Sequence, residues 1–185
     1  MHIHFTKLIC SSILGAALCL SNFCVGAENP ATASQIIKKI EGVYKNRFEN
    51  GLVSGEQYQS EDIIEIVPYS TDSLYFRISL QFYNGHSCGI YGIAKYRDNG
   101  FIYKSGDEQT CTLKISSDEN ALRITDRLTP SSASTCSTYC GARGSLSNYD
   151  IGIAKKRKIR YMPIILKSRQ YTEAVDEHKK QANSK

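Results

Sequence analysis

Residues 73–85 read SLYFRISLQFYNG, and this stretch decides the fold. Leu74, Phe76, Ile78, Leu80 and Phe82 fall on one side of an extended chain, and Tyr75, Arg77, Ser79, Gln81 and Tyr83 on the other. Side chains of a strand point alternately to opposite faces, so this run predicts a strand with one buried face. Asn84-Gly85 follows at once and tolerates the positive φ angles of a tight hairpin. Residues 87–96 then return as the partner strand. A two-residue loop would set Leu80 opposite Gly89. A loop one residue longer, with a bulge, sets Phe82 opposite Cys88 and Leu80 opposite Ile90. Only the second puts Cys88, Ile90, Gly92 and Ala94 on the apolar face, because a one-residue slip exchanges the faces. The bulged loop is therefore expected.

The same alternation continues outward from this hairpin. Residues 101–104 form a short strand after the turn Asp98-Asn99-Gly100. Cys111, Leu113 and Ile115 alternate, Asp118-Glu119-Asn120 turns the chain, and Leu122 and Ile124 alternate again. Residues 41–48 and 62–67 supply earlier strands, and 144–146 and 149–153 later ones. About eight strands with closely spaced turns predict an all-β protein with short flanking helices, a small antiparallel meander barrel. Residues 127–139 do not alternate; Pro130 and the serines around Ala133 mark a loop.

Two helices flank the strands. Residues 31–42, ATASQIIKKIEG, carry Ile36, Ile37 and Ile40 at helical spacing, with Ser34 as the expected N-cap and Gly42 as the stop. Residues 168–180 place Tyr171, Ala174, Val175 and His178 on one face behind a Ser168 cap, which predicts a terminal helix packed on the barrel.

The N-terminus has the layout of a secretory signal peptide: Lys7, an uncharged apolar run over residues 8–20, and the small residues of Val25-Gly26-Ala27. The run is short for a membrane span. Cys19 follows Leu18 and Cys24 follows Phe23, which does not suit lipid attachment. The expected division is a signal peptide over 1–27, a barrel domain with its N-terminal helix over 28–167, and a helix and tail over 168–185. Export implies the periplasm or secretion.

Cleavage also changes the cysteine arithmetic. The chain has 7 cysteines, and Cys10, Cys19 and Cys24 would leave with the leader. Cys88, Cys111, Cys136 and Cys140 remain, an even set in an oxidising compartment, and predict two disulfides. Four cysteines allow three connectivities. The pairing Cys88–Cys111 with Cys136–Cys140 is the favoured expectation, the first tying two strands and the second stapling a loop. The spacing does not show the close Cys/His pairs of a zinc site.

Charge and chemistry narrow the function. The net charge of +5 is too small an excess to imply nucleic acid. The cluster Lys155-Lys156-Arg157-Lys158, followed by Arg160, either makes a weak contact with an anionic surface or forms a solvated strand end or loop. Outside the leader the only histidines are His86, beside a turn, and His178, in a charged helix. No GxSxG, phosphate-loop or HExxH motif appears. Glu61 and Asp62 face opposite ways on a strand, so both are read as solvent-facing rather than as an acid–base pair. A binding protein rather than an enzyme is expected, with no cofactor and no metal.

Residues 136–146, CSTYCGARGSL, are the least generic stretch. Two cysteines pin a loop, Gly141 and Gly144 allow unusual backbone shapes, and Arg143 stands between them. A rigid loop presenting an arginine loses little entropy on binding; alternatively Arg143 closes a local ion pair. A surface built from Arg143, Gly144, Ser145 and His86 is the expected partner-binding site.

The motifs Asn84-Gly85-His86-x-Cys88-x-x-x-Gly92-x-Ala94, Cys111-x-Leu113-x-Ile115 and Cys140-Gly-Ala-Arg143-Gly144 resemble a group of small exported bacterial proteins, some associated with periplasmic lysozyme inhibitors of the membrane-bound C-type-inhibitor and LprI kinds. The resemblance covers about residues 41–153. It implies a compact periplasmic barrel and a role in blocking a cell-wall hydrolase. In C-type-lysozyme inhibitors a loop serine and a lysine enter the enzyme's cleft. Residues 101–108, FIYKSGDE, resemble the lysine part, although Ser105 separates Lys104 from Gly106; the serine part has no counterpart. Lys104 therefore joins the expected partner-binding residues. Two functions follow: an inhibitor or immunity factor against a peptidoglycan-degrading enzyme, or a barrel that holds a small apolar or lipid ligand. Inward glycines would favour a cavity, and a filled interior the inhibitor.

Processing is directly measurable. The intact mass of the exported protein should correspond to a chain beginning at Glu28 without an acyl group. A mass that retains residues 1–27, or lipid on Cys19 or Cys24, would refute the reading of the leader.

Overall fold

Alternation of large apolar side chains over residues 73–97 builds the central hairpin, β3 (Ser73–Gln81) and β4 (Ser87–Arg97). In the computed structural model, which describes residues 32–184 apart from 107–110, 128 and 130, they lie within an antiparallel set of nine strands. The others are β1 (Gly42–Gly51), β2 (Gln57–Pro68), β5 (Gly100–Lys104), β6 (Thr112–Ser117), β7 (Ala121–Thr125), β8 (Tyr149–Gly152) and β9 (Lys156–Arg157). Their order is β8-β7-β6-β5-β4-β3-β2-β1-β9, a meander wound into a nearly closed barrel. The leader read over residues 1–27 lies outside the described residues. Among the described residues no helix is long and apolar enough to cross a membrane.

The faces of the central hairpin are as expected, but its register is not. Leu80 stands opposite Cys88 and Ile78 opposite Ile90, one pair away from the expected bulged form. The connection is longer: Phe82 N–H donates to His86 O at 2.7 Å around a 3-10 turn at Tyr83–Gly85. Asn84 (φ 60°) and Gly85 (φ 72°) both take the left-handed conformation. The extra length has a distant cause. The Tyr83 hydroxyl donates to Leu52 O at 3.0 Å, Asn84 Oδ1 accepts from Val53 N at 3.2 Å, and Gly85 N donates to the Tyr58 hydroxyl at 3.1 Å. The turn is shaped by the β1–β2 loop beside it.

Two other local expectations are corrected. Residues 144–146 form no strand. The basic cluster, expected at a strand end or loop, holds the short strand β9 at the end of the sheet order, pairing Lys156 with Tyr44 and Arg157 with Val43. The first helix, α1 (Ala33–Ile40), is capped by Thr32 and not Ser34, because Gln35 completes a reciprocal box: its amide donates to Thr32 Oγ1 and its side-chain oxygen accepts from Thr32 N. Its C-cap is Glu41, and Gly42 already begins β1.

The inward face forms the main core. Tyr44, Ile64, Ile66, Leu74, Phe76, Ile78, Leu80, Ile90, Phe101, Leu113, Ile115, Leu122 and Ile124 are fully buried there, with Ile37 and Ile40 of α1. Inward Gly92 leaves no hollow: a Cβ at this position would lie 2.4 Å from Cε2 of Tyr103, whose ring meets Phe76 edge-on at 5.3 Å. A second core lies outside the barrel, where α2 (Met162–Leu166) and α3 (Arg169–Asn183) join Val43, Val67, Tyr75 and Ile93 through Ile165 and Ala174. Tyr171 packs edge-on against Tyr75 at 5.0 Å. Ser168 caps α3 as expected, its Oγ accepting from Tyr171 N at 3.2 Å. Beside this layer the buried Glu65 accepts from Arg77 (Nη2 at 2.9 Å) and from the Tyr161 hydroxyl at 2.6 Å. Burial and this carboxylate push the Tyr161 phenol up to about 12.

Gly92→Ala should therefore lower stability by about 1–3 kcal/mol, the usual cost of overpacking. The loss should shrink in a Tyr103→Ala background, measured by urea unfolding as a double-mutant cycle. Equal losses in both backgrounds would show that the ring of Tyr103 is not what requires glycine.

Candidate functional site

The ladder between β4 and β5 covers only three pairs, Lys95–Ile102, Tyr96–Phe101 and Arg97–Gly100. Among the described residues, the β5 side of β4 from Ser87 to Ala94 has one bridge, Cys88 to Cys140. The segment 136–140 spans this opening. Its disulfides are Cys88–Cys140, joining it to β4, and Cys111–Cys136, joining it to the start of β6. This overturns the expected pairing. β5 lies between β4 and β6 in the sheet order, so Cys88 and Cys111 are not on adjacent strands. The two cysteines of the loop reach in opposite directions instead of to each other. The bridges close 52 and 25 residues, about 4 and about 3.5 kcal/mol of stabilisation in the chain-entropy model.

Asp126 anchors the base of the strap. It is fully buried and accepts from Ser147 Oγ at 2.6 Å, from Cys136 N at 3.0 Å and from Ser134 Oγ. Burial pushes its carboxyl up, but these donors pull it down further and leave it below the ordinary aspartate value. The sequence reading passed over Asp126. Its signal was a carboxylate at the end of an alternating strand, just ahead of a serine-rich loop.

Beyond the strap, residues 141–144 form a tight turn. Gly141 N donates to Ser87 O at 2.8 Å, and Gly144 N to Gly141 O at 2.8 Å. A Cβ on Gly144 would lie 2.8 Å from Cys88 Sγ, so the backbone rests on the disulfide. Leu146 is fully buried and ends the turn. Arg143 is exposed at its tip and pairs with no carboxylate among the described residues. Ser145 Oγ accepts from Ser147 N at 3.0 Å. His86, half-buried, lies with Nδ1 3.1 Å from where a Gly141 Cβ would stand. His86 thus lies against Gly141, and Gly144 against Cys88 and Ser87, so the turn that carries Arg143 stands beside the start of β4.

Lys104 lies elsewhere. It lines a separate groove with Lys95, Arg97 and His178, and its carbonyl accepts from Gln181 Nε2 at 3.0 Å. His178 meets Tyr69 edge-on at 5.5 Å, and burial holds its pKa below the ordinary histidine value. Asp62 does not face solvent: it is buried, accepting from Gln81 N and the Tyr149 hydroxyl, both at 2.7 Å. Glu61, on the outward side, pairs with Lys45 and Arg47. Among the described residues no group of three His, Cys, Asp or Glu side chains is placed to hold a metal.

Helix α3 covers the outer side of the opening. Glu177 accepts from the Tyr103 hydroxyl at 3.1 Å and from Gly106 N at 2.7 Å, and Glu173 accepts from the Tyr91 hydroxyl at 2.5 Å. Burial first, and then Glu177, drives the Tyr103 phenol far above its ordinary value. An open groove of about 700 Å³ remains between Tyr91, Tyr103 and Tyr139 and the helix. Its two glutamates already serve the tyrosine hydroxyls. The chain matches no protein-family model, no curated protein and no solved structure.

Asp126→Asn should cost about 1–3 kcal/mol at pH 7, because its amide would face donors with another donor. The sign with pH follows from the lowered folded value. The Asp126 contribution is fully present above the unfolded value of about 3.9 and is lost as pH falls through the folded one. Urea unfolding at pH 7 and pH 3 should show the wild-type advantage narrowing on acidification. An equal stability of the two proteins at pH 7 would remove Asp126 from this role.

Proposed function

We propose that this chain is an exported binding protein that acts on a peptidoglycan-degrading enzyme such as a lysozyme, as an inhibitor or immunity factor, and that it works from the rim formed by His86, Arg143, Gly144 and Ser145. The observation that carries the reading is the presentation of Arg143. The guanidinium stands at the tip of a turn whose backbone is fixed by a disulfide, two backbone hydrogen bonds and the buried Leu146. A group held this way loses little freedom on association. Its planar fork suits bidentate binding of a carboxylate, and glycoside hydrolases place paired carboxylates in their clefts. His86 and Ser145 add hydrogen-bonding groups beside it.

The alternative, a barrel enclosing a small apolar or lipid ligand, fits the interior less well. Inward positions carry leucine, isoleucine, phenylalanine and tyrosine, and the space over Gly92 is taken by Tyr103. Lys104, expected at the contact surface, lies in a different groove and is left out of this proposal.

Arg143→Ala should weaken binding to whichever enzyme of a lysozyme and lytic-enzyme panel the wild type binds by about 1–3 kcal/mol, the scale for a charged hydrogen-bond partner, with Tm unchanged. Titration calorimetry against a panel of lysozymes and lytic enzymes reads the first, and thermal denaturation the second. A variant that is folded and binds the same enzyme as tightly as wild type would refute the surface.

A further inference from the structure

Residues 155–169 read KKRKIRYMPIILKSR: seven cations and no carboxylate in fifteen residues. The seven are Lys155, Lys156, Arg157, Lys158, Arg160, Lys167 and Arg169. Six of them pair with no carboxylate among the described residues; Arg169 alone lies 3.7 Å from Glu173. Lys155 instead reaches the Asn46 side-chain oxygen, Lys156 the Lys39 carbonyl, and Arg157 the carbonyls of Ala154 and Lys156. The positive charge of this margin is therefore almost wholly uncompensated.

In its middle stands an apolar knuckle. Helix α2 turns Ile165 into the outer core, where it is 1% exposed. At 100° per residue its neighbours must then point away. Ile164 is 71% exposed and Leu166 is 44% exposed, with Pro163 exposed between them on the outer side. The sequence flanks this knuckle with Lys158 and Arg160 on one side and Lys167 and Arg169 on the other. Met162, at the start of α2, lines a groove with Lys38, Lys156, Arg157 and Lys158, so α1 adds its own cation to the margin; Glu41 is the one carboxylate lining that groove.

We propose that this margin docks the protein on an anionic lipid bilayer, with Ile164 and Leu166 entering the headgroup region and the surrounding lysines and arginines meeting the lipid phosphates. The pattern of exposed large apolar side chains ringed by cations is that of an interfacial element. The cations are long, separate and mostly unpaired, which suits a diffuse plane of phosphates better than the fixed carboxylates of an acidic protein. This inference does not rest on the hydrolase reading and uses none of its residues.

Co-sedimentation with vesicles tests it, using the purified protein with residues 1–27 in the same state in every sample. Binding is expected to vesicles of equal phosphatidylglycerol and phosphatidylcholine and not to phosphatidylcholine alone, and it should weaken with salt as charges are screened. The triple variant Lys158→Gln, Arg160→Gln, Lys167→Gln should bind roughly a hundredfold more weakly, at about fivefold per charge. The double variant Ile164→Ser, Leu166→Ser removes only exposed side chains. It should keep the wild-type circular dichroism and lose roughly tenfold or more in affinity, the scale for burying one large apolar side chain. Equal binding to neutral and anionic vesicles, or none to the anionic ones at low salt, would overturn the proposal. So would a serine variant that binds as tightly as wild type, since the contact would then be a general attraction to polyanions.

Discussion

The parting of β4 from β5 after three paired residues sets the arrangement of the rest of the molecule. A strand that loses its neighbour exposes backbone donors and acceptors and opens the core behind them. Three devices meet that demand. The strap over residues 136–140 crosses the opening and is bonded to the strands on either side by Cys88–Cys140 and Cys111–Cys136. Tyr103 lays its ring over Gly92. Helix α3 covers the outside and takes the Tyr103 hydroxyl onto Glu177. The disulfides thus supplement a real core at its weakest seam.

The same constraint explains what could and could not be read from the sequence. The faces of β3, β4, β6 and β7 were legible because nearly every inward position along these strands is apolar. Ile37 and Ile40, and the stripe of α3 behind Ser168, were legible for the same local reason. The cysteine pairing was not, because it depends on β5 lying between β4 and β6 and on how few pairs β5 makes with β4. Nothing in residues 87–104 taken alone announces that the ladder stops at Lys95. The hairpin register failed similarly, since its loop is held by Leu52, Val53 and Tyr58 from another hairpin.

Buried carboxylates are a second feature that the local sequence conceals: Asp62 was expected to face solvent, and Glu65 and Asp126 were passed over. Asp62, Glu65 and Asp126 are each buried, and each is satisfied by partners distant in sequence: Gln81 and Tyr149, Arg77 and Tyr161, Cys136 and Ser147. A local reading assigns a carboxylate on a strand to solvent, which is the right prior. It fails here because a narrow barrel brings many backbone and phenol donors to a few sites. The candidate site was half legible. His86 lies against Gly141 and Gly144 against Cys88, so the turn that carries Arg143 stands beside the hairpin through a disulfide other than the expected one, whereas Lys104, grouped with it by resemblance alone, sits against α3.

The charged side chains of the outer surface are divided by element. Helix α3, with three acids and three bases, spends Glu173 and Glu177 on Tyr91 and Tyr103, where these two carboxylates serve closure of the seam. The stretch leading into that helix holds seven cations and spends almost none of them on carboxylates. Charges that a fold does not consume are free to meet an external partner. By that criterion Glu173 and Glu177 are consumed by the fold, whereas Arg143 and the cations of residues 155–169 pair with almost no carboxylate among the described residues. The basic excess of the chain is then gathered in residues 155–169, and the strap, by fixing the turn that carries Arg143, joins the stability of the seam to the shape of that turn.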